Sequence, residues 1–242
     1  MKFSTISNIG KVRRENQDYY GNLDLGNYSF FIVADGMGGY NGGEIASKLA
    51  AKYYLEYIKN SNIKDFSSII DLQEEALQSA NDKIFSLSKS YEEYANMGTT
   101  AVCVCIDYEK KSYHITHIGD SRCYIYSDKK LQLITRDHSL VNDLIDSGSL
   151  TEDEAENFAN KSTITRAVGV GSKIRPDSRS LDMKDSDIML MVTDGLTNEV
   201  SDVEIEAIIA SNSTADKISS SLVDLAIKNG GHDNITVTTI LI

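Results

Sequence analysis

Tryptophan is absent from this chain, proline occurs once (Pro176) and histidine four times. With a single proline and no Gly/Ser or charge tract, nothing marks a linker, and the 242 residues read as one domain over 1–242 with a sizeable core. Three cysteines, Cys103, Cys105 and Cys123, make an odd number and lack metal-ligand spacing, which argues against a disulfide framework. Cys103 and Cys105 stand two apart on a strand-like segment, so they share a face and are expected to be small buried hydrophobes in a reducing compartment. No apolar run approaches the roughly 18 residues needed to span a bilayer. Met1 to Asn8 lacks the apolar core of a signal peptide. A cytoplasmic protein with no membrane partner is expected. Positive charge is also scarce: 24 Lys and Arg face 36 Asp and Glu, a net charge of -12. That balance disfavours nucleic acid as a partner.

Hydrophobic periodicity supplies the elements. Tyr28 to Ala34 is a continuous apolar run, suited to a strand buried on both faces. Gly43 to Asn60 and Ser67 to Ser90 have helical spacing. The period then changes: Thr99 to Asp107, Ser112 to Ile118, Arg122 to Tyr126 and Leu131 to Ile134 read as an antiparallel meander. His138 to Phe158 reads as polar helix, with Thr151 and Glu154 spaced as a capping box. An irregular stretch runs to Arg175. Ile188 to Thr193 is a strand, Ser201 to Ala210 and Thr214 to Lys228 are helices, and Ile235 to Ile242 closes the chain as a strand. The fold class is α+β, with strands enough for two packed sheets and helices outside.

Aspartates mark the chemistry. The run ending at Ala34 meets Asp35-Gly36-Met37-Gly38-Gly39, and the run ending at Thr193 meets Asp194-Gly195. Asp120 follows Ile118-Gly119, and Asp233 sits in Gly230-Gly231-His232-Asp233-Asn234. A strand that delivers a carboxylate before a glycine turn fixes an anion at a sheet edge. Several such carboxylates together need cations, since like charges raise one another's pKa. Hard oxygen ligands favour Mg²⁺ or Mn²⁺ over Zn²⁺. Two such ions roughly 3.5–4 Å apart acidify a shared water, and attack on phosphorus is the common use of the pair. Arg13-Arg14-Glu15-Asn16-Gln17-Asp18 supplies a guanidinium fork for phosphate.

The ordered set Gly10-Lys11-Val12-Arg13-Arg14-Glu15-Asn16-Gln17-Asp18, Val33-Ala34-Asp35-Gly36-Met37-Gly38-Gly39, Met97-Gly98-Thr99-Thr100, His117-Ile118-Gly119-Asp120-Ser121-Arg122, Asp137-His138-Ser139, Thr165-Arg166-Ala167-Val168-Gly169, Thr193-Asp194-Gly195 and Asp233-Asn234 closely resembles the PP2C-type (PPM) metal-dependent serine/threonine protein phosphatases in their compact bacterial form. The resemblance covers essentially the whole chain. It implies a four-layer αββα sandwich, two antiparallel sheets flanked by helices, with Mn²⁺ or Mg²⁺ at one end: two ions in the core site and a third, weaker one. Asp35 resembles the carboxylate that bridges the pair, and Gly36 the residue whose carbonyl binds one ion. Asp194 and Asp233 resemble the other ligands of the second metal. Asp120, with Asp194, resembles the pair holding the third. Asp18 matches an acidic residue that contacts metal-bound water, and Arg13 the arginine that grips substrate phosphate. The stretch 144–171 corresponds to the family's flap, with Arg166 as a substrate or flap-anchoring residue.

The pattern also departs from the family. Gln17 takes a place that is acidic in many relatives. Met37 stands where animal relatives often carry a histidine proposed as general acid. Asn160-Lys161 replaces a His-Pro pair. His138 and His232 are expected to hydrogen-bond structurally, and His114 and His117 to pack on their strand.

The expected activity is hydrolysis of phosphoserine and phosphothreonine in proteins by a metal-bridging water, without a covalent phosphoenzyme. The expected partners are phosphorylated proteins, substrates of a cognate Ser/Thr kinase, and the expected state is a monomer. The alternatives are a catalytically silent phosphoprotein-binding module of the same fold and a two-metal phosphodiesterase. The latter would need a basic groove that this acidic chain does not advertise.

Overall fold

Side chains alternate sides along the central strands, and the alternation builds three buried layers. A computed structural model describes every residue except 39–41, 156–157 and 159–162. Gly39 of the glycine motif and the Asn160-Lys161 pair therefore lie outside the described residues. In chain order the strands are β1 (Lys2–Asn8), β2 (Asp18–Asp24), β3 (Tyr28–Met37), β4 (Gly98–Thr99), β5 (Ala101–Asp107), β6 (Ser112–Ile118), β7 (Arg122–Ser127), β8 (Lys130–Leu133), β9 (Asp177–Asp182), β10 (Ile188–Val192) and β11 (Ile235–Leu241). The α-helices are α1 (Gly42–Asn60), α2 (Ile69–Ser90), α3 (Leu140–Asp146), α4 (Glu152–Ala155), α5 (Asp194–Thr197), α6 (Asp202–Ser211) and α7 (Ala215–Asn229).

One sheet has the order β1-β11-β10-β7-β8, the other β2-β3-β5-β6-β9 with β4 added against β3, and neighbours are antiparallel throughout. Phe31, Val33, Val102, Val104 and Ile115 meet Cys123, Ile125, Met189, Met191 and Ile240 between the sheets. The alternate residues of β3 and β5, Phe30, Ile32, Cys103 and Cys105, face α1 and α2 through Ala50, Tyr54, Leu72 and Leu77. On the opposite outer face Tyr124, Leu190, Val192 and Val237 pack on Ile205, Ile218 and Leu222 of α6 and α7. The result is the four-layer αββα sandwich. Each large apolar side chain buried this way contributes about 1.5–3 kcal/mol.

Local signals set the helix starts. The Ser68 hydroxyl accepts the Asp71 N–H at 3.1 Å to open α2. Capping boxes form at Thr151, as expected, and at Ser201: the Thr151 and Ser201 N–H groups each donate to the glutamate three residues on at 2.9 Å, and the hydroxyls accept in return. The three cysteines are free and buried. No described helix is long and apolar enough to cross a membrane.

Several elements differ from the sequence reading. β1, β2 and β9 carry mixed polar sequences and were not distinguishable as strands by periodicity. β2 and β9 are sheet edges, where one face stays wet, and β1 is an edge as well. The region from His138 to Phe158 is not one helix: α3 and α4 are short and separated by a turn containing Gly148 at φ +72°. Neither Asp-Gly pair is a turn. β3 runs on through Asp35 and Gly36 to Met37, and Asp194 opens α5 after Thr193.

Candidate active site

Each predicted aspartate sits where a strand leaves or enters one end of the sandwich. Asp35 lies near the end of β3, and Asp18 begins β2 directly opposite it in register. Asp120 follows β6 by two residues. These three belong to the six-stranded sheet. Asp194 follows β10 and Asp233 precedes β11, so both belong to the five-stranded sheet. The loop from residue 9 to 17 crosses from β1 in one sheet to β2 in the other.

These segments are tied tightly to one another. The Asp35 N–H donates to the Thr100 hydroxyl at 2.9 Å, while the Asp35 carbonyl accepts from the Thr100 N–H and the Thr99 hydroxyl at 2.8 Å each. Gly36 donates to the Gln17 carbonyl at 3.0 Å, and the Ser47 hydroxyl caps that carbonyl at 2.6 Å. Asn234 fastens the N-terminal loop: its amide donates to the Ile9 and Glu15 carbonyls at 3.0 Å, and its oxygen accepts the Gln17 N–H at 2.8 Å. The glycines of both Asp-Gly pairs exist for close approach. A Cβ on Gly36 would lie 2.0 Å from the Gly43 carbonyl oxygen, and one on Gly195 would lie 1.9 Å from that of Asn234.

Asp35, Gly36, Asp120, Asp194 and Asp233 line one cavity of about 520 Å³ together with Arg13, Met37 and Asn198. Asp18 lies behind it, 6% exposed. Its Oδ2 accepts from the hydroxyls of Thr193 at 2.9 Å and Thr236 at 2.7 Å, and its Oδ1 has no hydrogen-bond partner. Asp194 Oδ2 accepts from the Asn198 amide at 3.0 Å, while the buried Oδ1 is likewise unpartnered.

The crowding shifts the acids strongly. Burial, then repulsion from Asp18 and Asp194, pushes the Asp35 carboxyl well above the ordinary range. Burial raises Asp18 to about 7, against the opposing pull of the Thr236 and Thr193 hydroxyls. Burial, followed by the charges of Asp194 and Asp137, raises Asp120 to about 7. Asp194 is raised by burial and then by Asp233. Buried carboxylates that repel one another and leave oxygens unpaired fit hard divalent cations: such ions neutralise the charge and fill the missing coordination. The donor set is all oxygen, which suits Mg²⁺ or Mn²⁺.

Arg13 is placed differently from the bare expectation of a free phosphate fork. Its Nη2 donates to Asp233 Oδ2 at 2.6 Å, so the arginine and a predicted metal ligand share one contact. Arg166 does not reach the cavity. Its Nη1 donates to Asp177 Oδ1 at 2.9 Å, and it lines a neighbouring groove.

His138 has a fixed tautomer. Its Nδ1 accepts the Gly119 N–H at 3.1 Å, so the proton sits on Nε2, which faces Asp177 at 3.2 Å. Burial keeps its pKa low and the ring neutral. Its backbone donates to the Gly119 carbonyl at 2.9 Å and accepts from Thr165 N–H at 2.8 Å. His117 stacks on it with ring centroids 4.8 Å apart, and Nε2 of His117 meets the Arg136 carbonyl at 2.9 Å. His117, His138 and Asp177 lie close enough for a metal. Both ring nitrogens of His138 and Nε2 of His117 are already engaged by other groups, so the cluster is a structural one.

Thr100, Thr193, Thr236, Asn198 and Asn234 went unassigned at the sequence level. Thr100, Thr193 and Asn234 stand in the motifs with Gly98, Asp194 and Asp233, a signal that could have found them; Thr236 and Asn198 stand in none.

Residues 11–224 match the family model described as Protein phosphatase 2C. The chain is 34% identical to Protein phosphatase PhpP of Streptococcus pneumoniae over 241 residues, covering 99% of this chain and 97% of that protein. It is 33% identical to Serine/threonine phosphatase stp of Listeria monocytogenes over 230 residues, covering 94% and 90%. The solved S. agalactiae serine/threonine phosphatase superposes with a TM-score of 0.90 at 33% identity, covering 98% of each chain. The catalytic domain of serine/threonine protein phosphatase PstP in complex with two manganese ions gives 0.84 at 27% identity, covering 100% of this chain and 98% of that one.

Proposed function

The chain belongs to the protein phosphatase 2C family of serine/threonine protein phosphatases, and from that premise we propose that it hydrolyses phosphoserine and phosphothreonine in a single displacement by water, using the cavity at the end of the sandwich. The observation that carries the mechanism is convergence: Asp35, Gly36, Asp120, Asp194 and Asp233 border one cavity with Arg13 beside them. Asp35, Gly36, Asp194 and Asp233 would hold a pair of Mn²⁺ or Mg²⁺ ions, and Asp120 with Asp194 a third. When bound, such a pair supplies an acidified water at neutral pH and offsets charge on the phosphoryl oxygens.

This chain's own residues do the rest. Asp18, held by two threonine hydroxyls behind the cavity, keeps its buried Oδ1 unpartnered and would accept there from water of a loaded site. Arg13 leaves Asp233 to orient the phosphoryl oxygens with its planar fork. Met37 borders the cavity and carries no proton to give, so the leaving alkoxide takes its proton from water. No covalent phosphoenzyme through cysteine is needed: all three thiols lie in the core, where burial drives their pKa values up, that of Cys123 to about 12. The stretch 144–171, of which 156–157 and 159–162 lie outside the described residues, would serve as the flap, with Ile164 lining the cavity. The substrates are proteins phosphorylated by a Ser/Thr kinase.

The test is Mn²⁺-dependent phosphate release from a phosphothreonine peptide. Asp35→Ala and Asp194→Ala should each abolish it. Near-normal activity in both would sink the assignment.

A further inference from the structure

The segment 163–180 reverses the charge of the rest of the chain. It carries Arg166, Lys173, Arg175 and Arg179 against Asp177 alone, in a protein whose net charge is -12. Three of these cations, Arg166, Lys173 and Arg175, line a groove of about 350 Å³ with Ile118, Val170 and Ile174.

The cations are not equivalent. Arg166 is engaged by Asp177 at 2.9 Å. Arg179 donates to the Ile134 carbonyl at 3.2 Å. Lys173 and Arg175 are exposed, and their side chains have no ion-pair partner among the described residues.

The groove adjoins the carboxylate cavity along three pieces of chain. Asp120 lines the cavity and Ile118 the groove; Ile164 lines the cavity and Thr165 and Arg166 the groove. The third junction is Gly98, where a Cβ would meet Met37 of the cavity and Val170 of the groove at 2.8 Å each. Val170 is 56% exposed at this lip. An acidic polypeptide approaching this chain is repelled over most of its surface and attracted here.

We propose that Lys173 and Arg175 form a docking site for an acidic segment flanking the phosphorylated residue of a protein substrate. This rests on the phosphatase reading and adds a substrate preference to it. Exposed charge pairs are individually weak and fade with salt, so the site tunes KM and leaves the chemical step alone.

The experiment compares two phosphothreonine peptides, identical except for acidic or neutral flanks, and p-nitrophenyl phosphate. The proteins are the wild type and the Lys173→Gln/Arg175→Gln double variant, both with Mn²⁺. The wild type should favour the acidic peptide through KM, with the preference shrinking in high salt. The double variant should raise KM for that peptide by on the order of 3- to 10-fold, with kcat and p-nitrophenyl phosphate turnover unchanged. No preference in the wild type, or a preference that survives in the variant, would overturn the proposal. So would an equal loss on p-nitrophenyl phosphate. Fluorescence anisotropy of the labelled peptides, read in parallel without metal, separates this proposal from the phosphatase reading. Preferential binding of the acidic peptide that the double variant loses, without turnover of either peptide, would support the docking site and overturn the phosphatase reading. Variant-sensitive binding to anionic phospholipid vesicles without peptide preference would assign the patch to a membrane surface instead.

Discussion

The Arg13 guanidinium donates to the Asp233 carboxylate at 2.6 Å, across 220 residues of sequence. One contact thus joins the candidate phosphate grip to a candidate metal ligand. A cation held by Asp233 would compete with Arg13 for that carboxylate and would free the arginine.

Arg13→Ala should therefore have two opposite effects. The KM for a phosphopeptide should rise by about 10-fold or more, from the loss of a charge-assisted contact. Mn²⁺ should bind a few-fold more tightly, because Asp233 no longer has a competing cation. Isothermal titration with Mn²⁺ beside steady-state kinetics checks both; weaker metal binding would contradict the shared contact.

The raised acids set a pH dependence of stability. Asp18 and Asp120 titrate at about 7 in the fold against an ordinary 3.8, and Asp35 and Asp194 are raised as well. A carboxyl whose folded pKa exceeds its unfolded value adds stability in full below the unfolded value, and that stability is lost as pH rises through the folded one. In EDTA, the thermal midpoint should fall from about pH 5 to about pH 8, at roughly 2–4 °C per kcal/mol for a chain of this size. Asp120→Asn should flatten the fall, and Mn²⁺ should reverse it in the wild type. Differential scanning calorimetry at both pH values reads the effect, and a flat wild-type profile would count against the crowded carboxylates.

The two Asp-Gly glycines should not tolerate a methyl group. Gly36→Ala and Gly195→Ala each place a Cβ within about 2 Å of a backbone oxygen. Forced shifts of this kind cost about 1–3 kcal/mol or more, and here they would displace Asp35 or Asp194. Urea midpoints should drop, and Mn²⁺-dependent activity should fall further than the stability loss alone explains.

His138→Leu should strand the buried Gly119 N–H, at a cost of about 1–3 kcal/mol. Because Gly119 precedes Asp120, the Mn²⁺ concentration for half-maximal activity should also rise. Urea denaturation and a Mn²⁺ activation curve read the two effects separately.

Most of the layer plan was legible in the sequence because buried strands and amphipathic helices have strong periods. β3, β5 and β6 show this for strands, and α2 and α7 for helices. β1, β2 and β9 were not legible. Asp18-Tyr19-Tyr20-Gly21-Asn22-Leu23-Asp24 forms a strand through its register against β3 rather than through any pattern of its own. At the site, Asp35, Asp120, Asp194 and Asp233 were visible because each lies close to an apolar run or a glycine, whereas Asp18 stood out only through the family resemblance. The threonines that hold Asp18 were not, since Thr193 and Thr236 read as ordinary strand residues until the two sheets are stacked. Nor does sequence show that Arg13 rests on Asp233, a relationship created only when the loop from 9 to 17 crosses between sheets.

That crossing gives the site a mechanical meaning. Asp35 and Asp120 hang from one sheet, Asp194 and Asp233 from the other. Cations held among them would be rivets through the seam of the sandwich, clamping its two leaves at one end while apolar packing holds the remainder. Loading the site would then change how far the leaves splay at that end, so the chemistry and the spacing of the layers share one set of fasteners.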